Sequence, residues 1–418
     1  MMRKYLLHIT VLLLFTCNMG AQTTNEGMLY ISEDTKFSTI QTLDNVQSGE
    51  VYNDGDAYIY SGFNNDGVVD FSQNTGLTRF IGTAPQALSG SEISYFYDVL
   101  FDNNSQVAPF QLSGWFDISG QSNFYQGIVD NKTFQGRMEF RADAFHINTS
   151  DYSHVNGPVG KLNQGDFIFP IGDGGYYRMA GISTPENPDA KIDGEFFFEN
   201  SDPLFSHELK PDAVLKIDDQ EYWTIDNMTN KREDNVFVSL SWREVTTPDF
   251  IIDAAENEAL TIVRWNEEKN MWVDEGGIVD IDNQTITTDV SGFGVFTMAT
   301  LKMDVVSPCH VIVYNAVTPN GDGINDYFRI EDQGDCAQDL RVKVFNRWGV
   351  KVFETNNYGP DGDLFDGYSS GRLTVRKDNA QLPTGTYFYI LEYLYDTGET
   401  LKTQKQQGYL YLSGSSGN

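Results

Sequence analysis

Three oxygen-bearing side chains stand close together in a glycine-rich stretch near residue 320. The stretch reads Pro319-Asn320-Gly321-Asp322-Gly323-Ile324-Asn325-Asp326. Because glycines tolerate positive φ, the chain can turn sharply here. Asn320, Asp322 and Asp326 fall at positions i, i+2 and i+6, so their oxygens can converge on a hard cation such as Ca²⁺. The alternative is an Asx-turn, in which the same side chains cap the local backbone.

Two β-strand motifs follow this turn. The segment Val344–Phe353 contains two alternating β runs around Asn346-Arg347-Trp348-Gly349, which predicts a tight hairpin. The segment Leu382-Pro383-Thr384-Gly385-Thr386-Tyr387 is a proline-glycine turn that leads into an aromatic strand. The turn, the hairpin and the second turn therefore predict a compact β module at the C-terminal end of the sequence.

In this order the three motifs resemble the gliding-motility-associated C-terminal domain, the type B sorting domain of the Bacteroidota type IX secretion system. The resemblance covers about Cys309 to Leu412. It rests on Pro319, Asn320, Gly321, Asp322, Gly323, Asn325, Asp326, Asn346, Arg347, Trp348, Gly349, Leu382, Pro383, Gly385, Thr386 and Tyr387. The family implies a β-sandwich that is recognised in the periplasm and carries its cargo across the outer membrane. It also implies the translocon and a SprF/PorP-like outer-membrane protein as partners.

A basic stripe is predicted on one face of this module. Arg341 and Lys343 alternate with valines, and Lys351 lies on the returning strand. One interpretation is a docking face for the secretion machinery; the other is an ordinary solvated strand face. Cys309 and Cys336 are the two cysteines left after removal of a leader, so in an oxidising compartment they are expected to form a disulfide; the alternative is two buried free thiols.

The first 21 residues have the pattern of a secretory signal peptide. Arg3 and Lys4 precede an apolar run from Leu6 to Phe15, and cleavage is expected after Ala21. The run is too short for a membrane span, which needs about 20 apolar residues. Cys17 offers an alternative as a lipidation site, although the residues before it fit that motif poorly. We expect no membrane span after cleavage.

The acidic residues are concentrated in the central part of the chain. Residues 22–308 hold 46 acidic and 16 basic residues, whereas residues 309–418 hold 14 and 10, and the net charge of the whole chain is −32. Such a surface repels nucleic acid and anionic lipid, which excludes both as expected partners. Solubility is the simplest reason for the excess of carboxylates.

The predicted fold class is all-β. Residues 22–172 alternate short β runs with Gly, Asn and Asp clusters. Asn53-Asp54-Gly55 recurs twelve residues on, and Leu88-Ser89-Gly90 recurs twenty-four residues on. The longer spacing favours a parallel β-helix, with an irregular sandwich as the alternative. The pattern of residues 173–305 predicts an immunoglobulin-like sandwich with one short helix at about Phe250–Leu260. Residues 306–418 are predicted to form the sorting domain.

The sequence contains no motif of an active site. The four histidines after the leader, His146, His154, His207 and His310, are scattered and lack metal-ligand spacing. Arg141, His154 and Lys161 are the best trio for holding an acidic sugar, but residues 30–170 hold few basic residues, which argues against such a site. We predict a secreted, non-enzymatic surface protein with an adhesive or structural role. No cofactor is certain from the sequence, and Ca²⁺ is the one candidate. The alternative is an extracellular glycan-binding or glycan-degrading enzyme, for which surface glycans are the partner.

Overall fold

The computed structural model describes residues 22–229, 236–257, 259–302, 309–334, 336–346, 350–369, 381–396 and 400–413. The all-β class is confirmed, because these residues form forty strands and one helix. The expected signal peptide (1–21) and the hairpin-turn residues Arg347, Trp348 and Gly349 lie outside the described residues. Among the described residues no helix is both long and apolar enough to cross a membrane.

Residues 23–173 wind into a solenoid of parallel strands, which confirms the β-helical alternative. Its strands are β1 (Thr23–Asn25), β2 (Met28–Ile31), β3 (Lys36–Thr39), β4 (Leu43–Asn45), β5 (Glu50–Asn53), β6 (Asp56–Ile59), β7 (Phe63–Asn65), β8 (Val68–Asp70), β9 (Leu77–Gly82), β10 (Gln86–Ser89), β11 (Ile93–Phe96), β12 (Asp98–Asn103), β13 (Phe110–Leu112), β14 (Trp115–Ile118), β15 (Gln121–Gln126), β16 (Val129–Asp130), β17 (Arg137–Phe140), β18 (Phe145–Ile147), β19 (Val155–Asn156), β20 (Val159–Leu162) and β22 (Ile171–Asp173). Between the last two lies β21 (Phe167–Phe169), which pairs antiparallel with a strand of the following sandwich.

Three parallel sheets form the sides of the solenoid. Each sheet takes every third strand: one runs β1-β4-β7-β10-β13-β16-β19-β22, the second β2-β5-β8-β11-β14-β17-β20, and the third β3-β6-β9-β12-β15-β18. Strand alternation sends every second side chain inward. The inward rings of Phe96 and Phe116, for example, have centroids 4.9 Å apart. Stacked coils therefore bury a continuous aromatic and aliphatic core.

The coils differ in length, which explains the faint sequence repeat. Leu88 pairs with Leu112, so the twenty-four-residue recurrence does mark neighbouring coils. Other coils are shorter, since Val155 pairs with Ile171. The twelve-residue recurrence marks two turns of the same kind at different corners of the solenoid. In the first, Asn53 Oδ1 accepts a hydrogen bond from the Gly55 amide, and in the second, Asn65 Oδ1 accepts one from the Gly67 amide.

Buried asparagines connect successive coils. Asn25 Nδ2 donates to Asn45 Oδ1 at 2.8 Å, and Asn45 Nδ2 donates to Asn65 Oδ1 at 2.8 Å. Asn45 and Asn65 are fully buried, so each amide satisfies a polar group that water cannot reach. This ladder fixes the register of the corner between the first two sheets.

A sandwich follows the solenoid without a break in the hydrogen bonding. Its elements are β23 (Tyr176–Tyr177), β24 (Ala180–Ile182), β25 (Lys191–Phe197), β26 (Val214–Ile217), β27 (Tyr222–Asn227), β28 (Phe237–Ser241), α1 (Asp249–Glu256), β29 (Leu260–Asn266), β30 (Met271–Gly276), β31 (Ile278–Asp280), β32 (Thr285–Asp289) and β33 (Gly294–Leu301). One sheet extends the second solenoid sheet, since β20 pairs with β25 and the order continues β27-β33-β29-β30. The other sheet runs β21-β24-β28-β32-β31 and shares the same core.

The C-terminal domain (residues 309–413) has its own core between two sheets. Its strands are β34 (His310–Val313), β35 (Ala316–Val317), β36 (Ile330–Gln333), β37 (Ala337–Phe345), β38 (Lys351–Thr355), β39 (Gly385–Asp396) and β40 (Leu401–Leu412). β34 pairs with β36, and the larger sheet runs β35-β40-β39-β37-β38. Val344, Tyr389 and Leu391 point into a core separate from that of the solenoid and sandwich.

Candidate functional site

The turn at Asn320–Asp326 is held by its own side chains. The Asp326 carboxylate accepts bonds from the backbone amides of Asn320, Gly321 and Gly323 at 3.1, 2.7 and 2.8 Å. Asp322 Oδ1 accepts from the Ile324 amide at 2.7 Å. The amides of Gly321 and Gly323 hold the pKa of Asp326 below its ordinary value.

This geometry favours the Asx-turn over a calcium site. The Asn320 side-chain amide donates to Asp322 Oδ2 at 2.9 Å, so a donor lies against that carboxylate oxygen. Both oxygens of Asp326 already accept backbone bonds. A calcium ion takes six to eight oxygen ligands. In this arrangement the three side chains bind the turn itself, and the Ca²⁺ assignment of Asn320, Asp322 and Asp326 stays a prediction.

The other two motifs adopt the local structures expected of them. The Asn346 amide donates to the Val350 carbonyl at 2.9 Å, and the Val350 amide donates back to Asn346 Oδ1 at 3.0 Å, which closes the hairpin. At the second turn, the Tyr387 hydroxyl donates to the Pro383 carbonyl at 2.8 Å. Tyr387 and Leu382 are both buried, so these motif residues stabilise the C-terminal domain from inside.

Gly367 brings the first and third motifs together, although it belongs to none of the motifs found in the sequence. Its φ is +82°, and a Cβ there would lie 2.8 Å from Leu412 Cδ1 and 3.3 Å from Pro319 Cγ. Its carbonyl accepts the Leu382 amide at 2.9 Å. A side chain at this position would separate the turn from the aromatic strands, so glycine is required.

Cys309 and Cys336 form a disulfide, with Cα atoms 5.4 Å apart. The bond connects the start of β34 to the residue before β37. Asp332 lies beside the two sulfurs, within 4.8 Å. Because the sulfurs are bonded to each other, this group of three residues is not a metal site.

Two lysines of the basic stripe face the sandwich. Lys343 Nζ lies 3.8 Å from the carboxylate of Asp289. Lys351 Nζ lies 3.6 Å from Glu186 and 2.9 Å from Glu354. Burial raises the pKa of Asp289, and the neighbouring Lys405 and Lys343 oppose that rise.

Arg341 lines a cavity of about 230 Å³ together with Lys343 and Glu392. The structure thus pairs two of the three stripe residues with carboxylates of the preceding domain. Docking of the secretion machinery on Arg341, Lys343 and Lys351 stays a prediction. It requires either that the contact between these lysines and the sandwich opens, or that the partner binds from the side of Arg341.

Further contacts join the C-terminal domain to the sandwich. Lys405 Nζ donates to the backbone carbonyl of Asp289 at 2.7 Å and to that of Glu275 at 3.3 Å. Gln407 Nε2 donates to Thr288 Oγ1 at 3.0 Å. Side chains of β40 thus donate hydrogen bonds to acceptors on β30 and β32. The C-terminal domain and the sandwich are therefore joined by direct contacts as well as by the linker.

The three side chains considered for holding an acidic sugar are each bound to a different structural partner. Arg141 makes a two-point ion pair with Asp117, and Lys161 Nζ donates to the carbonyls of Arg141 and Ala142 at 2.6 and 2.5 Å. His154 is fully buried, and its Nδ1 lies 3.0 Å from the Ser150 carbonyl. Each of the three side chains thus has a separate structural partner.

Arg178, which follows the glycine turn after β22, is also structural. It is fully buried and binds both oxygens of Glu221, at 2.6 and 3.0 Å, together with Ser241 and Thr247. Asp218 lies nearby, and its burial and the charge of Glu221 raise its pKa. The guanidinium therefore has no free face for an external anion among the described residues.

Comparison with known proteins identifies one part of the chain. No curated protein and no solved structure matches it. A family model does match residues 311–412, at the position of the disulfide-linked C-terminal domain. Its description is the CHU_C Type IX secretion signal domain, which confirms the sorting-domain resemblance of the three motifs and implies export out of the cell.

Proposed function

We propose that this chain is a cell-surface protein with an adhesive or structural role, exported by the type IX secretion system. Residues 22–305 are the cargo, and the C-terminal domain is the export and attachment signal. The match at residues 311–412 carries the proposal. It implies contact with the secretion machinery, for which we propose the translocon and a SprF/PorP-like outer-membrane protein.

The chemistry of the cargo supports a non-enzymatic role. Several charged groups buried in the solenoid and sandwich make structural contacts, as in the pair of Arg178 and Glu221 and that of Arg264 and Glu275. Asp117 and Glu139 lie side by side on the solenoid, and each carboxylate forms an ion pair with a basic side chain. A hydrolase needs one such carboxyl free to donate a proton. This arrangement supports binding rather than hydrolysis of a glycan.

The export role is tested by deleting residues 309–418 and fractionating the cells. We expect the truncated cargo in the periplasm, because a signal peptide alone carries a protein only across the inner membrane. A periplasmic marker enzyme serves as the control for leakage. Normal amounts of truncated cargo at the surface would show that the C-terminal domain is not the signal.

A point variant separates recognition from folding. Trp348 lies outside the described residues, in the sequence between β37 and β38. If Trp348 is a docking residue, Trp348→Ala leaves the thermal unfolding of the purified protein unchanged while export fails. Reduced stability together with failed export would instead assign Trp348 to the core of the domain.

A further inference from the structure

The outer face of the second solenoid sheet carries aromatic and charged side chains in adjacent rows. In one row Tyr95, Asp117 and Glu139 are direct neighbours on β11, β14 and β17. In the next row Trp115 pairs with Arg137. Parallel strands lie about 4.8 Å apart, so these side chains form a continuous surface. Phe96, Phe116 and Met138 alternate with them and point inward.

Glu139 is the centre of the charged group. It is only 2% exposed although it lies on the outer face. Its carboxylate accepts bonds from Trp115 Nε1 at 3.0 Å, from Arg137 Nε at 2.5 Å and from Lys191 Nζ at 2.9 Å. The indole of Trp115 is flanked by the same two cations, each 5.6 Å from the ring centroid. The ring is therefore held in one orientation on the surface.

A second pair lies on the adjoining strands. Arg141 donates to both oxygens of Asp117, at 2.7 and 2.9 Å, and lies 5.5 Å from the ring centroid of Tyr95. Burial raises the pKa of Asp117, and the bonds from Arg141 oppose the rise. Arg137 extends the network to Asp193 at 3.0 Å. The rings of Tyr95 and Trp115 are thus both positioned by neighbouring cations.

Two further tyrosines lie on the same face near the start of the solenoid. Tyr30 pairs with Tyr52 on β2 and β5, and Asp70 of β8 separates Tyr52 from Tyr95 in this outward row. From β2 to β14 the row crosses five strands, a distance of about 19 Å. Tyr30 is 51% exposed, and Tyr52, Tyr95 and Trp115 are half-buried. The face is long enough for several linked rings rather than for one small molecule.

The charges on this face select the type of ligand. Arg137, Arg141 and Lys191 balance Asp117, Glu139 and Asp193 in number, and Glu50 and Asp70 add two carboxylates to the same face, so the face has no net positive charge to attract an anion. Donors remain, since Arg141 has five N–H groups and uses two of them on Asp117, and its side chain is 46% exposed. The chain as a whole carries −32 charges, which repels polyanions. A neutral polysaccharide fits this face, because it carries no charge for the acidic protein to repel and its hydroxyls can accept bonds from the remaining N–H donors.

We propose that this face binds a neutral polysaccharide, whose sugar rings stack on Tyr30, Tyr52, Tyr95 and Trp115 while its hydroxyls accept bonds from Arg141 and Lys191. The electron-rich face of an aromatic ring attracts the weakly positive C–H groups of a sugar ring. Rings held by neighbouring cations lose little freedom on binding. The inference rests on the proposed surface role, yet it is measured on purified protein and so is independent of export.

The experiment measures binding of the full-length mature protein to soluble β-glucan, mannan and xyloglucan by affinity electrophoresis and calorimetry. We expect binding to at least one of them, with little dependence on salt. Trp115→Ala should weaken it at least tenfold, and Trp115→Phe, which keeps a ring, should restore most of it. Tyr152→Ala is the matched control, since Tyr152 is an 80% exposed aromatic outside this face.

Thermal unfolding of each variant shows whether the solenoid stays folded. Failure of the wild-type protein to bind any of the three polymers would overturn the proposal. So would equal binding by Trp115→Ala and wild type, or binding to the polyanion alginate alone. If Trp115→Ala unfolds, Tyr52→Ala replaces it as the deciding variant, with the same expected loss.

Discussion

Phe237 of the sandwich and Phe345 of the C-terminal domain meet edge to face, with ring centroids 4.6 Å apart and ring planes at 84°. Both rings are buried, and Ile390 packs beside them. Phe345 lies on the face of the large sheet opposite to the core of the C-terminal domain. The cargo therefore covers the second face of the sheet that carries the sorting signal.

The first prediction is that Phe345→Ala uncouples the C-terminal domain from its cargo. Truncating a buried phenylalanine costs about 3 kcal/mol, because apolar contacts are lost and a cavity is left. The ring contributes to the interface rather than to the domain core, so we expect calorimetry to resolve separate unfolding transitions for the two parts. Tyr411→Ala is the control, since Tyr411 is 51% exposed on the same sheet.

A single unfolding transition at the wild-type temperature for Phe345→Ala would contradict this coupling. The same variant also informs the docking prediction for Arg341, Lys343 and Lys351. If these residues bind the secretion machinery, weakening the contact with the cargo should expose them and leave export intact or improved. Loss of export in a folded Phe345→Ala protein would show that the machinery recognises the docked arrangement.

The second prediction concerns the disulfide. Replacing Cys309 and Cys336 together by serine should lower the free energy of unfolding of the C-terminal domain by about 3 kcal/mol, because the unfolded chain loses a loop constraint of 27 residues. Urea unfolding followed by tryptophan fluorescence measures the change. Thiol labelling of the unfolded, unreduced wild-type protein should detect no free thiol; two labelled cysteines would contradict the bond.

Local patterns predicted the local structures well. The turn at Asn320–Asp326, the hairpin at Asn346 and the strand after Gly385 each depend on residues close in sequence, so glycine, proline and alternation were sufficient to predict them. The short helix was predicted within a few residues of α1. The twelve-residue recurrence was misleading, because one asparagine-glycine turn serves two different corners of a coil.

Contacts between distant residues could not be predicted from the pattern. The continuation of a solenoid sheet into the sandwich depends on pairing between Gly160 and Asp193, which no repeat connects. Lys343 alternates with valines and so resembles a solvated residue; its partner Asp289 lies in another domain. The charged face around Glu139 was missed for the same reason, since its members come from separate coils and from β25.

The third prediction distinguishes the Asx-turn from a calcium site. Asp326→Asn should lower the melting temperature of the C-terminal domain more than Asp322→Asn does, because Asp326 accepts three backbone amides and Asp322 accepts one. An Asx-turn alone predicts no specific heat when calcium is added to the wild-type protein in calorimetry. Saturable binding that Asp322→Asn abolishes would support the calcium assignment instead.

The pH dependence of this turn follows from the same bonds. The pKa of Asp326 is lowered in the folded state, so its carboxylate stabilises the domain at neutral pH. This contribution is lost as the pH falls below the unfolded value of 3.8 and through the folded pKa. The difference in melting temperature between wild type and Asp326→Asn should therefore shrink under acidic conditions.

The fourth prediction uses Lys161, a lysine almost fully buried in the solenoid. Its exposed fraction is 1%, and burial lowers its pKa to about 8. At pH 7 the amine is charged in the folded and unfolded states, and its burial opposes folding. Between pH 8 and about 10.5 the folded state loses this proton before the unfolded state does. The unfolded chain then binds more protons, so stability rises with pH in this window.

Comparison with Lys161→Met isolates this effect from the titration of other groups. The stability of the wild type relative to the variant should increase by about 3 kcal/mol between pH 7.5 and 10.5, since each pKa unit corresponds to about 1.4 kcal/mol. Urea unfolding of both proteins across this range measures the difference. Lys302→Met serves as the control, because Lys302 is exposed and should show no such trend. A difference between wild type and Lys161→Met that stays constant with pH would mean that Lys161 keeps its proton throughout, held by the carbonyls of Arg141 and Ala142.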